Sequence, residues 1–155
     1  MEPARERRPD GLIEGETIVA LQRVRFSAGM PSTVKTSGVP NVRPPSLIQR
    51  HAYALWARRA ATAGFPIAGP EMILGITQER LLAWRPTLIR SRPRRFAGAL
   101  PLSRIHGAGV HRRFFAAVLT MLLDDGAIVG VETVHSGQLR RFAAAIPSYT
   151  DHKAR

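Results

Sequence analysis

The chain has 155 residues, 45% of them hydrophobic, with no cysteine and 23 Lys and Arg against 11 Asp and Glu, a formal charge of +12. Length and apolar share predict one domain with a core of its own. The lack of cysteine excludes disulfides, thiolate metal sites and cysteine nucleophiles, and agrees with a cytoplasmic protein.

The opening Met1-Glu2-Pro3-Ala4-Arg5-Glu6-Arg7-Arg8 is charged and has no apolar stretch behind it, so no secretory leader is expected. Residues 1–11 read as a disordered arm. Glu16 to Phe26 alternates and reads as a strand, with Ile18, Ala20, Gln22, Val24 and Phe26 on one parity and Arg23 and Arg25 on the other. Residues 27–45, with Gly29, Pro31, Gly38, Pro40, Pro44 and Pro45, form a long loop. Ser46 then caps a helix running from Leu47 to about Ala63, stopped by Gly64 and Pro66. At helical pitch Ile48, Ala52, Leu55, Trp56 and Ala63 share its apolar face.

Strands are expected at 71–78 and 80–85, reversing at Gln78-Glu79. A basic loop follows over 86–95, with Arg90, Arg92, Arg94 and Arg95 around Pro93. Further strands are expected at 96–101 and 104–112, where Gly107 and Gly109 suggest a bulge. The hairpin 114–123 to 127–134 turns at Asp124-Asp125-Gly126. Ser136 caps a last helix whose Leu139, Phe142, Ala143 and Ile146 follow i, i+3, i+4, i+7 spacing before Pro147. Residues 148–155 read as a flexible tail. The longest apolar run, Phe114 to Leu123, is far short of the roughly 20 residues of a membrane-spanning helix. A soluble or at most peripheral protein is expected.

Gly15-Glu16-Thr17-Ile18-Val19, the hairpin from Leu74 to Leu82, Leu100-Pro101-Leu102-Ser103-Arg104-Ile105, the Asp-Gly hairpin and Leu139-Arg140-Arg141-Phe142-Ala143-Ala144 follow one another in a telling order. Over residues 15–26 and 71–146 the chain resembles the bacterial pleckstrin-homology-like (PH-like) domains. The resemblance implies a mainly β (α+β) fold: a small seven-stranded antiparallel barrel, strongly bent and plugged by the C-terminal helix. The domain would run over 12–147, with a loop and helix inserted at 27–70 between the first two strands. In lipid-binding members of the wider superfamily the loops after the first and third strands form the headgroup site. Here those loops are 27–70 and 86–95, both basic, and Arg23-Val24-Arg25 is a fragment of the lysine-led motif of phosphoinositide binders.

Reactive chemistry is sparse. His51, His106, His111, His135 and His152 include no pair at helical ligand spacing with another His, Asp or Glu. Ser103, His106 and Asp124 can be drawn as a triad, but no Gly-x-Ser-x-Gly elbow accompanies them. Asp124 and Asp125 before Gly126 are turn residues. Gly107-Ala108-Gly109 precedes a strand, so no helix N-terminus stands behind it to hold phosphate. Trp56, Tyr53 and Trp84 beside many arginines invite base stacking, but core packing is the plainer reading for both tryptophans.

No catalytic, metal or cofactor residue is assigned. The chain reads as a non-enzymatic binding or scaffolding module contacting a protein partner or an anionic lipid surface through basic loops, with charge-driven nucleic-acid binding as the alternative. The anion-facing candidates are Arg23, Arg25, Arg90, Arg92, Arg94 and Arg95. Two readings of this charge stay open: a built site, or arginines scattered over a solvated surface.

Overall fold

The period-two runs form a seven-stranded antiparallel sheet. The computed structural model describes residues 8–26, 47–87, 93–113 and 115–150. The elements are β1 (Ala20–Phe26), α1 (Leu47–Thr62), β2 (Glu71–Ile76), β3 (Arg80–Pro86), β4 (Pro93–Pro101), a 3₁₀ turn (Leu102–Arg104), β5 (Ile105–Arg113), β6 (Ala116–Leu123), β7 (Ile128–Thr133) and α2 (Ser136–Ala143). The strands lie in the order β4-β3-β2-β1-β7-β6-β5. The expected loop at 27–45, the Ser46 cap and residues 151–155 lie outside the described residues.

Local chemistry accounts for the turns. Thr77 N–H donates to Arg80 O at 2.9 Å across the Gln78-Glu79 reversal. The Asp-Gly turn is closed by Leu123 N–H to Ala127 O at 2.8 Å, and the Asp125 carboxylate accepts from Ala127 N–H at 2.9 Å. In β5 the pairing slips between Ile105 and Gly107, the bulge expected there. α1 ends in a Schellman motif: Phe65 N–H reaches Ala60 O and Gly64 N–H reaches Ala61 O, both at 2.9 Å, with Gly64 at φ 86. Ser136 is the first residue of α2 rather than its cap, for His135 holds the cap position and its side chain accepts no cap bond.

Alternate residues of every strand enter one core, including Val24, Met72, Leu74, Leu81, Leu100, Leu119 and Val131. Leu139, Phe142, Ala143 and Ile146 of the C-terminal segment join it, as their spacing requires, and α2 lies against β1, β5 and β6. The inserted segment is part of the core as well. Ala60, Ala63, Phe65 and Ala68 are buried in it, so 27–70 is not a simple appendage.

Barrel closure is not found. Among the described residues no ladder joins β4 to β5, which stay the two ends of the sheet. The end of the insertion instead fills the core between them: a Cβ added at Gly98, on the inner face of β4, would meet Pro66 at 3.2 Å, and Arg104, in the turn between β4 and β5, donates to Ala63 O at 2.8 Å. The end of the insertion thus enters the core at the open side. The other edge, β5, is covered by the start of the expected tail, where Thr150 N–H donates to Ala108 O at 3.0 Å and Ser148 Oγ to Ile105 O at 2.9 Å.

The apolar face expected for α1 is corrected at Leu55, which is 49% exposed, while Ala63 on that face is buried, as is Ala60. Among the described side chains of the helix, Ala60 in its last turn enters the core; the Ile48, Ala52, Tyr53 and Trp56 side chains lie outside the described residues.

The expected arm, by contrast, is docked from Arg8 onward. Residues 8–19 form a strap across the outer face of β2, β3 and β4, where Leu12 and Ile18 pack on Ile73, Leu82 and Trp84. β1 therefore starts at Ala20 rather than 16. The Glu16 carboxylate accepts from Arg80 Nη2 at 2.6 Å, Arg80 Nε at 2.7 Å, Thr77 Oγ1 at 3.0 Å and Ile13 N–H at 2.9 Å. The Arg80 hydrogen bond, helped by the Ile13 and Thr77 donors and opposed by partial burial, brings the Glu16 pKa from its ordinary 4.5 down to about 2.

A carboxylate depressed in the folded state stabilises it above its unfolded pKa and loses that contribution as pH falls toward the folded one. The stability difference between wild type and Glu16→Gln should therefore be constant above about pH 5 and shrink steadily toward pH 2. Urea midpoints across that range measure it; a difference independent of pH would mean that Glu16 is not held as an anion.

Candidate functional site

β1 pairs with β2 from Ala20 to Arg25, but meets β7 only through Arg25↔Glu132 and Phe26↔Val131. Towards its start β1 leaves β7, and an open cleft of about 550 Å³ lies in the gap. Its apolar lining is Leu21, Ile73, Ala116 and Val134; its polar lining includes Arg23, Arg25, Glu132, His135 and Gln138.

Two of the six candidate arginines lie here. Arg23 and Arg25 point away from the core because Gln22 and Val24, on the other parity, are buried. Arg23 Nη2 donates to Glu71 Oε2 at 2.8 Å, and Arg25 Nη2 donates to Glu71 Oε1 at 3.2 Å. The Arg23 hydrogen bond, then that of Arg25, holds the Glu71 carboxyl below its usual range against the cost of its burial. With Glu132 opposite Arg25, two guanidiniums meet two carboxylates in this region. The cleft is amphipathic rather than strongly basic.

Arg94 and Arg95 are elsewhere. They belong to β4, three strands from β1, a separation of about 14 Å at ordinary strand spacing. The register nevertheless places all four at one end of the strands: Arg25 stands opposite Glu71, and Arg95 opposite Arg85. Both Arg94 and Arg95 are exposed, and among the described residues neither takes part in an ion pair. Arg90 and Arg92 lie outside the described residues. The single site imagined for the six is thus divided into a neutralised pair on β1 and an uncompensated pair on β4.

Sequence reasoning missed the cross-strand pair Arg85↔Arg95. Like charges directly opposite one another destabilise a sheet. Arg85 Nε donates to the Ala68 carbonyl at 3.0 Å, which positions the guanidinium without neutralising it. The available signal was two arginines on neighbouring strands, but the register that opposes them depends on slips in β4 pairing between Ala83 and Trp84 and between Arg85 and Pro86.

The other chemistry stays dispersed. The Asp124 carboxylate is taken up by Arg104 at 3.0 to 3.3 Å, which holds its pKa down. It forms no hydrogen bond with His106, so Ser103, His106 and Asp124 are not linked as a triad among the described residues. His106, His111 and His135 are exposed, and His106 lies five residues along β5 from His111. Among the described residues no group of three His, Asp or Glu is arranged to hold a metal ion, and no helix is long and apolar enough to cross a membrane. No protein-family model and no curated protein matches the chain.

Proposed function

We propose that this chain is a non-enzymatic binding module of PH-like fold that contacts an anionic surface, a membrane or an acidic protein, through the sheet end carrying Arg85, Arg94 and Arg95. Seven antiparallel strands followed by a C-terminal helix that packs into their core support the PH-like reading. One observation carries the functional reading. Arg85 and Arg95 oppose one another, Arg94 stands beside them, and no carboxylate among the described residues forms an ion pair with any of the three. A fold tolerates such repulsion at an exposed end, where water screens it, and an external anion relieves it.

Replacing Arg94 and Arg95 together by Ser tests this reading. Stability should change by no more than about 0.5 kcal/mol per site. The double variant should leave immobilised heparin at clearly lower salt than wild type. It should also leave at lower salt than a control of equal charge, Arg58→Ser with Arg141→Ser, both of which are exposed. Equal shifts would mean that the charge acts diffusely. Stronger retention on short duplex DNA than on heparin or anionic vesicles, with a steep salt dependence, would transfer the function to nucleic acid.

A further inference from the structure

The turn between β5 and β6 carries the most exposed large hydrophobic side chain among the described residues, Phe115 at 82%. Beside it the β6–β7 register, which opposes Ala117 and Thr133, brings Ala116 next to Val134, itself 70% exposed. Leu21, 47% exposed, stands on the facing wall of the cleft that Ala116 and Val134 line. Three large apolar groups therefore reach solvent at one end of the sheet, and the outermost is an aromatic ring at the tip of a hairpin.

The charge around that tip is positive. The sequence running into it is His111-Arg112-Arg113-Phe114-Phe115, and no acid occurs between Glu79 and Asp124. His111, Arg112 and His135 are exposed. Among the described residues that line the cleft the one carboxylate is Glu132, which stands opposite Arg25 in the β1–β7 register. Aromatic rings settle at the headgroup level of a bilayer, and basic residues near them are drawn to anionic lipid. A hairpin tip whose ring is exposed, with Arg112 on the strand behind it, offers both features to such a layer.

We propose that the β5–β6 hairpin tip is a membrane-contact site, in which Phe115 inserts at the interface of an anionic bilayer while Arg112 meets the headgroups. The proposal rests on the reading above in taking an anionic surface as the ligand. It goes beyond that reading in naming a bilayer and a second site. The site lies on β5 and β6, whereas Arg94 and Arg95 lie on β4 at the opposite end of the strand order.

Co-sedimentation of the full chain with phosphatidylcholine vesicles, with and without phosphatidylglycerol, tests it. Phe115→Ser should weaken binding to the anionic vesicles about tenfold, the loss of one inserted aromatic side chain. Arg112→Ser should weaken it less and reduce its salt dependence. Phe115→Trp should show a blue shift with anionic vesicles and none with neutral ones, beyond any shift of wild type. Circular dichroism checks that each variant is folded.

Binding lost in Phe115→Ser but kept when Arg94 and Arg95 are replaced supports the tip and counts against the β4 site. The reverse pattern overturns the tip and leaves the β4 reading standing. Absence of wild-type binding to anionic vesicles also overturns the tip, and heparin retention then decides the β4 reading by itself. A Phe115→Ser variant that changes the molecular mass in solution without changing vesicle binding would assign the ring to contact between copies of the chain, and the membrane proposal would fall.

Discussion

Trp84→Ala should lower the unfolding free energy by about 3–5 kcal/mol, the usual cost of truncating a buried aromatic. The indole has no exposed surface, and it sits between the sheet and the strap. Phe96 packs on it at a tilt, with centroids 6.2 Å apart and 58° between the ring planes. Its Nε1–H donates to Asp10 O at 2.7 Å, so the ring both anchors the strap and fills the space beneath it. Gly75 is part of the same arrangement, because a Cβ there would lie 2.6 Å from the ring. The loss would be a large share of a typical stability of about 5–15 kcal/mol. Urea unfolding measures it, and amide exchange supplies a second signature: the Val19 N–H, bonded to Ile76 O at 2.7 Å, should lose protection as the strap is released. Trp84→Phe should cost less, since it keeps most of the packing and gives up the bond to Asp10. A loss below about 1 kcal/mol for the alanine variant would mean that the strap adds little to the fold.

Phe142→Ala is expected to cost a similar about 3–5 kcal/mol, for a different structural reason. The ring is 2% exposed, and its neighbours Leu139, Ala143 and Ile146 are as deeply buried. α2 lies against β1, β5 and β6, beside the place where β1 parts from β7. Its apolar stripe closes the core where the ladder cannot. Gln138→Ala, one turn away on the exposed side, should change stability by about 0.5 kcal/mol or less and serves as the comparison. Denaturation midpoints of the two variants measured together decide the matter; near-equal losses would remove α2 from the core.

Much of the architecture was legible because it is written at short range. All seven strands and both helices lie where period-two and period-3.6 patterns place them, within a few residues. Gly64 ends α1 through its backbone conformation, and Asp124-Asp125-Gly126 turns the last hairpin, with no help from distant residues. The candidate site was harder to read. Arg23 and Arg25 were visible as basic residues on one parity, but Glu71, which binds both, is 46 residues or more away in the chain. Phe115 was hidden inside an apolar run, since exposure at a turn depends on what the rest of the fold leaves uncovered.

Sequence alone determined the mainly β character, the strand count, the closing helix with its buried stripe, the lack of thiol chemistry and the basic balance. Each of these follows from residue type and local spacing. Tertiary structure decided what depends on register and on contacts between distant segments. It laid an acidic strap over Trp84 and fixed Glu16 on Arg80, 64 residues away. It brought the end of the insertion into the core beside β4, leaving the sheet open where a closed barrel was expected. It also divided the arginines, neutralising Arg23 and Arg25 while setting Arg85 against Arg95. The reason is physical: period and propensity choose an element and the face it buries, but a one-residue slip or a distant carboxylate decides which charges are left facing water.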